Sequence, residues 1–288
     1  MFSIEQHVYN SQVDRTGRQT NESIVMMMQD CSLASLKAQP DLRDYLKAHN
    51  IVMMVGSRQV DIFRHARYPE KIEVRTNVYK VRGAVSIRNT GLFDENERAV
   101  AMCWGVAAFV HLDTGKLAMI PKEVTRLYPP KQRYPMDYLD RKIALPEGTP
   151  QSFDPVPVRR ADLDQFGHLN NARAIRIADE YTPEDRVCTR IRAAYHRQAK
   201  PGAVLHPVVW NTPLAAAAGT DAEPGTASPA VLADEGAFAA SDDSRMPVAT
   251  SESGAEASRL ITDHASLKTT VALESADGEP YVIVEFTY

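Results

Sequence analysis

The sequence predicts an α+β protein built as two tandem copies of one unit. Three observations carry this. The run Val13-Asp14-Arg15-Thr16-Gly17-Arg18 recurs as Leu163-Asp164-Gln165-Phe166-Gly167-His168, 150 positions later, with Asp, Gly and then Asn21 or Asn171 at matching offsets. Self-similarity at a fixed spacing marks a duplicated structural unit. Each copy leads into one apolar helix-like run and then several strand-like segments, a pattern of one helix against an antiparallel sheet. Finally, 288 residues suffice for two cores.

In the first half, a strand over Glu5–Val13 precedes the Asp14–Arg18 turn. Ile24, Val25, Met28 and Cys31 follow at helical spacing, with Met27 and Leu36 also apolar, so this helix is buried on most of its surface. Thr20 or Asn21 serves as its N-cap. After a loop, strands are expected at Val52–Arg64, Ile72–Val81, Ala84–Phe93 and Ala99–Leu112, in meander, with Asp94-Glu95-Asn96-Glu97 as a hairpin turn.

The second half repeats the order. A strand near Val156–Arg160 leads to the Asp164–His168 turn and a helix over Asn171–Tyr181. Strands follow at Val187–Arg197, Val204–Asn211, Leu260–Ser275 and Tyr281–Tyr288, the last two joined at Asp277-Gly278. Phe63 precedes Pro69 by six residues, as Tyr195 precedes Pro201, a second internal echo. Domains are therefore expected at residues 1–127 and 153–288, joined by a linker at 128–152 rich in Pro and charge. Residues 211–258 hold little large apolar matter and are expected to form a disordered acidic insertion.

The net charge of −4 is uneven. The 211–258 stretch sets eight carboxylates against Arg245, a net of −7, and leaves +3 on the rest. The start of the chain has neither a basic n-region nor an apolar h-region, and no apolar run approaches the roughly 20 residues of a membrane span. A cytoplasmic protein with no membrane partner is expected. Cys31, Cys103 and Cys188 fit buried reduced thiols. His49, His65, His111, His206 and His264 show no ligand spacing, so no metal is expected. No dense basic stripe with interleaved aromatics suggests nucleic acid.

The chemistry concentrates in Asp162-Leu163-Asp164-Gln165-Phe166-Gly167-His168-Leu169-Asn170-Asn171, a strand-to-helix turn. Gly167 allows close backbone approach, and the N–H groups of the following helix suit a carbonyl oxygen becoming an oxyanion. Asp, Gly and Asn at a helix start are also ordinary capping chemistry, which accounts for the first copy with Arg18. Only the second copy carries an imidazole.

This run resembles the second domain of the acyl-ACP thioesterases, the tandem hotdog family of plants and bacteria. The first half resembles the family's N-terminal hotdog in Gln29-Asp30, in Pro69-Glu70, and across Ala101–Pro121 with Trp104, Asp113-Thr114-Gly115-Lys116 and Ile120-Pro121-Lys122-Glu123-Val124. The resemblance covers nearly everything outside 211–258. It implies a tandem double hotdog, each half a long central helix wrapped by an antiparallel sheet, with the acyl pocket in the first half.

The activity it implies is hydrolysis of fatty acyl thioesters on acyl carrier protein, without a cofactor. It aligns Asp164 and His168 with the family's acid and imidazole, and Gln198 with a family carboxylate; Phe166 stands where the family usually has Asn. Gly167, Asn170 and Asn171 then serve substrate binding. An amide orients water but cannot take its proton, so the base falls to Asp164 or His168. An acyl-CoA thioesterase, and a weak or inactive acyl-thioester binder, stay open as alternatives.

Met26, Met27, Met28, Met53 and Met54 suit either an acyl tunnel or adaptable core. His196 is a second-rank candidate. Arg159, Arg160, Arg173, Arg176, Lys131 and Arg133 could face an acidic carrier protein. A tandem chain supplies its own paired sheet, so monomer and homodimer both fit.

Overall fold

The computed structural model describes residues 1–126, 133–214 and 266–288. β1 (Phe2–His7) and a short 3-10 turn at Asn10–Gln12 lead to the first Asp-Gly turn and α1 (Asn21–Lys37). Thr20 caps α1, its hydroxyl accepting the Ser23 N–H at 3.2 Å, and the face bearing Ile24, Val25, Met27, Met28 and Cys31 is buried. α2 (Pro40–Ala48) follows, then β2 (Ile51–Ile62), β3 (Lys71–Arg82), β4 (Val85–Phe93) and β5 (Ala99–His111), with α3 (Lys122–Thr125) closing the half. In the second half come β6 (Gln151–Ser152), β7 (Val156–Pro157), a 3-10 turn at Arg160–Asp162, α4 (Asn171–Asp179), β8 (Arg190–Tyr195), β9 (Val204–Pro213), β10 (Leu267–Glu274) and β11 (Pro280–Thr287).

The sheet corrects the expected meander. One antiparallel sheet runs β1-β3-β4-β5-β2-β8-β11-β10-β9-β6. β3, β4 and β5 do meander, but β2 pairs with β5 instead of β3, and β1 takes the far edge. The reason is the junction between halves: β2 must lie innermost to pair with β8, Gln59 standing opposite Arg192.

Stepping outward, Val60 faces Ile191 and Arg58 faces Ala193. The two halves are thus related by a pseudo-twofold through the Gln59–Arg192 pair. The Val8 N–H meets the Glu70 carbonyl and the Val158 N–H meets the Ala203 carbonyl, each at 2.8 Å. The acceptors Glu70 and Ala203 lie 133 positions apart, so Phe63 corresponds to His196 and not to Tyr195, with which the sequence echo pairs it.

α1 and α4 pack side by side over the inner face of this sheet, and one apolar core runs through both halves. On the outer face, residues 133–143 cross the junction: Gln59 donates to the Asp137 carbonyl at 2.8 Å and accepts the Leu139 N–H at 3.2 Å. Beneath them Arg190 clasps Asp61 at 2.6 and 3.1 Å. The expected strand start at Leu260 and most of the 211–258 insertion lie outside the described residues, as do Lys131 and His264. No helix among the described residues is long and apolar enough to cross a membrane.

The first half is also tied by charge. Arg64 reaches Glu70 and Asp94, and Arg98 joins Asp94 at 2.9 Å. The Arg64 guanidinium holds Glu70 below its ordinary 4.5. Burial pushes Asp94 up, but the Arg98 and Asn96 backbone N–H groups and the arginines outweigh it, leaving Asp94 below 3.8. A lowered folded-state value means stability that is complete above the ordinary value and lost as pH falls through the lowered one. The melting temperature should therefore drop on acidification below about pH 4.5. In Arg64→Gln it should start lower at neutral pH and fall less steeply; parallel curves for the two proteins would refute the assignment.

Candidate active site

The two Asp-Gly turns are built alike. Asp164 Oδ1 accepts the N–H groups of Phe166 at 2.8 Å and His168 at 3.1 Å, while the Asp164 N–H meets the His168 carbonyl at 2.8 Å. Asp14 does the same for Thr16 and Arg18, at 2.7 and 3.1 Å. Gly17 and Gly167 have φ of 76° and 77°, the left-handed region that favours glycine. Asp164 thus holds the backbone of the turn and makes no hydrogen bond to the His168 ring.

What differs is the residue delivered. His168 is half-buried, and its ring makes no hydrogen bond among the described residues. Just after it, Asn170 caps α4 by accepting the Ala172 N–H at 2.9 Å, which leaves Asn171 and Arg173 as the remaining first-turn donors. Phe166, where the family usually has Asn, is 62% exposed and faces solvent.

Gln198 adjoins the turn along the backbone. The Leu169 N–H donates to the Ala199 carbonyl at 2.9 Å, so His168 and Gln198 each immediately precede a residue of this pair. The Gln198 side chain is exposed and its amide lies 3.9 Å from Met54 Sδ on β2. Gln198 of the second half thus touches β2 of the first. Tyr195, which the sequence marks only as part of the internal echo, ties β8 to the helix start, its hydroxyl donating to the Asn171 carbonyl at 3.3 Å.

His196 does not join. It sits beyond β8 under the influence of Glu279; burial pushes its imidazole below 6.5, and its Nε2 is buried without a partner.

In the first half the corresponding pair is the Gln19 N–H to the Ala66 carbonyl at 2.8 Å, preceded by Arg18 and His65. His65 thus occupies the place of Gln198. Its ring bridges the Gln19 carbonyl at 2.7 Å and the Cys188 carbonyl at 3.0 Å, fastening one half to the other. The His65 imidazole is structural.

Several cations expected to meet a carrier protein are engaged internally. Arg173 holds Glu22 at 2.5 Å, Arg176 holds Asp162 at 2.7 Å, and Arg133 stacks 3.8 Å over the Tyr138 ring. Met27 and Met28 are core residues, while Met26, Met53 and Met54 are half-buried. No cluster of His, Cys, Asp and Glu among the described residues could hold a metal ion.

The fold matches solved structures over nearly the whole chain. An acyl-ACP thioesterase from Bacteroides thetaiotaomicron aligns with a TM-score of 0.72 at 14% identity, covering 99% of this chain and 96% of that one. The 12:0-ACP thioesterase from Umbellularia californica aligns at 0.69 and 13%, covering 99% and 92%. No curated protein sequence matches. The tandem hotdog expected from the sequence is the fold found.

The fold is thus a tandem double hotdog, and residues 1–128 match the model of the acyl-ACP thioesterase N-terminal domain, in line with the resemblance read from the sequence.

Proposed function

We propose that the protein hydrolyses fatty acyl-acyl carrier protein in the cytoplasm, releasing free fatty acid and ending chain elongation. The observation that carries this is the unengaged His168 ring at the start of α4, delivered by a turn whose twin in the acyl-ACP thioesterase N-terminal domain delivers Arg18 instead. His168 takes the proton of the attacking water. The Gln198 amide orients that water, and the first-turn N–H groups at Asn171 and Arg173 receive the charge that develops on the thioester oxygen. Gly167 lets the acyl carbonyl approach the backbone, and Asn170 keeps the helix end open toward it. Asp164, with Oδ1 committed to two N–H groups, serves by holding the turn.

Purified full-length protein should turn over acyl-ACP in preference to acyl-CoA across a series of chain lengths, followed by release of free acid. Equal or greater kcat/KM on acyl-CoA would move the substrate to that thioester. Tight binding of acyl-ACP without turnover would replace the hydrolase reading with a carrier of acyl thioesters.

A further inference from the structure

We propose that Arg58 is a specificity residue of the acyl pocket that receives an oxygen function carried on the acyl chain, a ketone or carboxylate a few carbons beyond the thioester. This rests on the thioesterase reading above.

Arg58 lies on the inner face of the sheet. It stands opposite Gly105 on β5 and Ala193 on β8, in step with Val60, whose side chain is in the core beneath the helices. It is only 8% exposed, yet it makes no hydrogen bond or ion pair with any described residue, and its Nε is buried without a partner. The Tyr195 ring centre lies 5.9 Å from the guanidinium carbon. A buried cation without a counter-charge is costly to keep, so its position points to an oxygen acceptor supplied from outside.

The surroundings leave room for that group. Both cross-strand neighbours are small, and a Cβ built on Gly105 would meet nothing nearer than the Ser57 carbonyl at 4.0 Å. On the other side of Gly105 stands Arg88, which donates to Thr76 Oγ1 at 3.0 Å, and Thr76 meets Thr90 at 2.8 Å. A polar band therefore crosses the inner face at this level. A plain hydrocarbon passing it would displace water from the Arg58 guanidinium and return nothing, whereas an oxygen acceptor restores a charge-assisted hydrogen bond. The depth follows from the Tyr195 hydroxyl bonded to the Asn171 carbonyl. Arg58 sits one tyrosine ring inward from the start of α4, hence beyond the thioester and along the chain.

The test uses the full-length protein and thioesters of equal chain length on one carrier: octanoyl, 3-oxo-octanoyl and the mono-thioester of suberic acid. Wild type should favour one oxygenated chain over octanoyl by about tenfold or more in kcat/KM, the residue that prefers an oxygen rejecting the analogue that lacks it. Whichever is favoured identifies the oxygen as ketone or carboxylate. Arg58→Met should abolish the preference and Arg58→Lys should keep part of it. A wild-type preference for octanoyl, or an oxygen preference that survives Arg58→Met, overturns the proposal. Calorimetric binding of free suberate against octanoate separates the two readings: suberate binding lost in Arg58→Met upholds the Arg58 role even where no thioester is hydrolysed, and equal binding of both acids by both proteins rejects it.

Discussion

His168→Ala is expected to lower kcat on acyl-ACP by about two to four orders of magnitude, the range lost when a positioned acid–base group is removed. This corresponds to about 3–5 kcal/mol of transition-state stabilisation. The melting temperature should barely move, because the ring makes no hydrogen bond among the described residues and its backbone N–H, the group Asp164 holds, is retained. That separation of activity from stability is the diagnostic. Turnover near wild type in the alanine variant would remove His168 from the mechanism.

Asp164 gives the contrasting pattern. Alanine there strands two N–H groups and should cost about 1–2 kcal/mol of stability, as loss of a comparable cap does. Asp164→Asn keeps an oxygen acceptor for the turn but removes any capacity to take a proton. Recovery of both stability and kcat in the asparagine variant is expected. Recovery of stability alone would hand the proton-accepting role to Asp164.

The turn was legible in the sequence because it is local. Asp, Gly and Asn at fixed spacing constrain a few consecutive residues, and both copies fold as that spacing demands. The same locality hides what Asp164 already holds: spacing shows a carboxylate near an imidazole but not that two backbone N–H groups bind it. The connection expected as a loop after α1 is helix α2, which Pro40 in its first turn and Leu42 and Leu46 one turn apart mark as short and amphipathic.

Long-range features were harder. The strand order depends on which strand meets the other half, and hydrophobic alternation is silent on that. Arg58 could have been found, since alternation through Val60 and Ile62 puts it on the core face. A lone arginine in a strand reads as solvated until its neighbours prove to be Gly105 and Ala193. His65 and Gln198 became comparable only once the backbone pairs Gln19–Ala66 and Leu169–Ala199 aligned them.

The junction between the two halves carries the largest expected stability effect. Asp61 is fully buried and Arg190 is 4% exposed, joined by two hydrogen bonds between β2 of one half and β8 of the other. Gln59 donates to Asp61 at 3.0 Å, and Arg190 reaches Asp137 at 3.3 Å, so the pair also anchors the segment crossing the outer face. Asp61→Ala leaves a buried guanidinium short of its main counter-charge and should cost about 3–5 kcal/mol, measured as a shift in urea midpoint. Arg190→Met should cost a similar amount by stranding Asp61. Replacing both, as Asp61→Leu with Arg190→Met, should cost much less than the sum, because no charge is then left unpaired. Simple additivity in that cycle would show the two groups are not coupled. Since Met54 and Gln198 meet only where β2 and β8 are in register, the single variants should lose activity in step with stability, whereas the double variant, with the junction closed by apolar contact, should recover both.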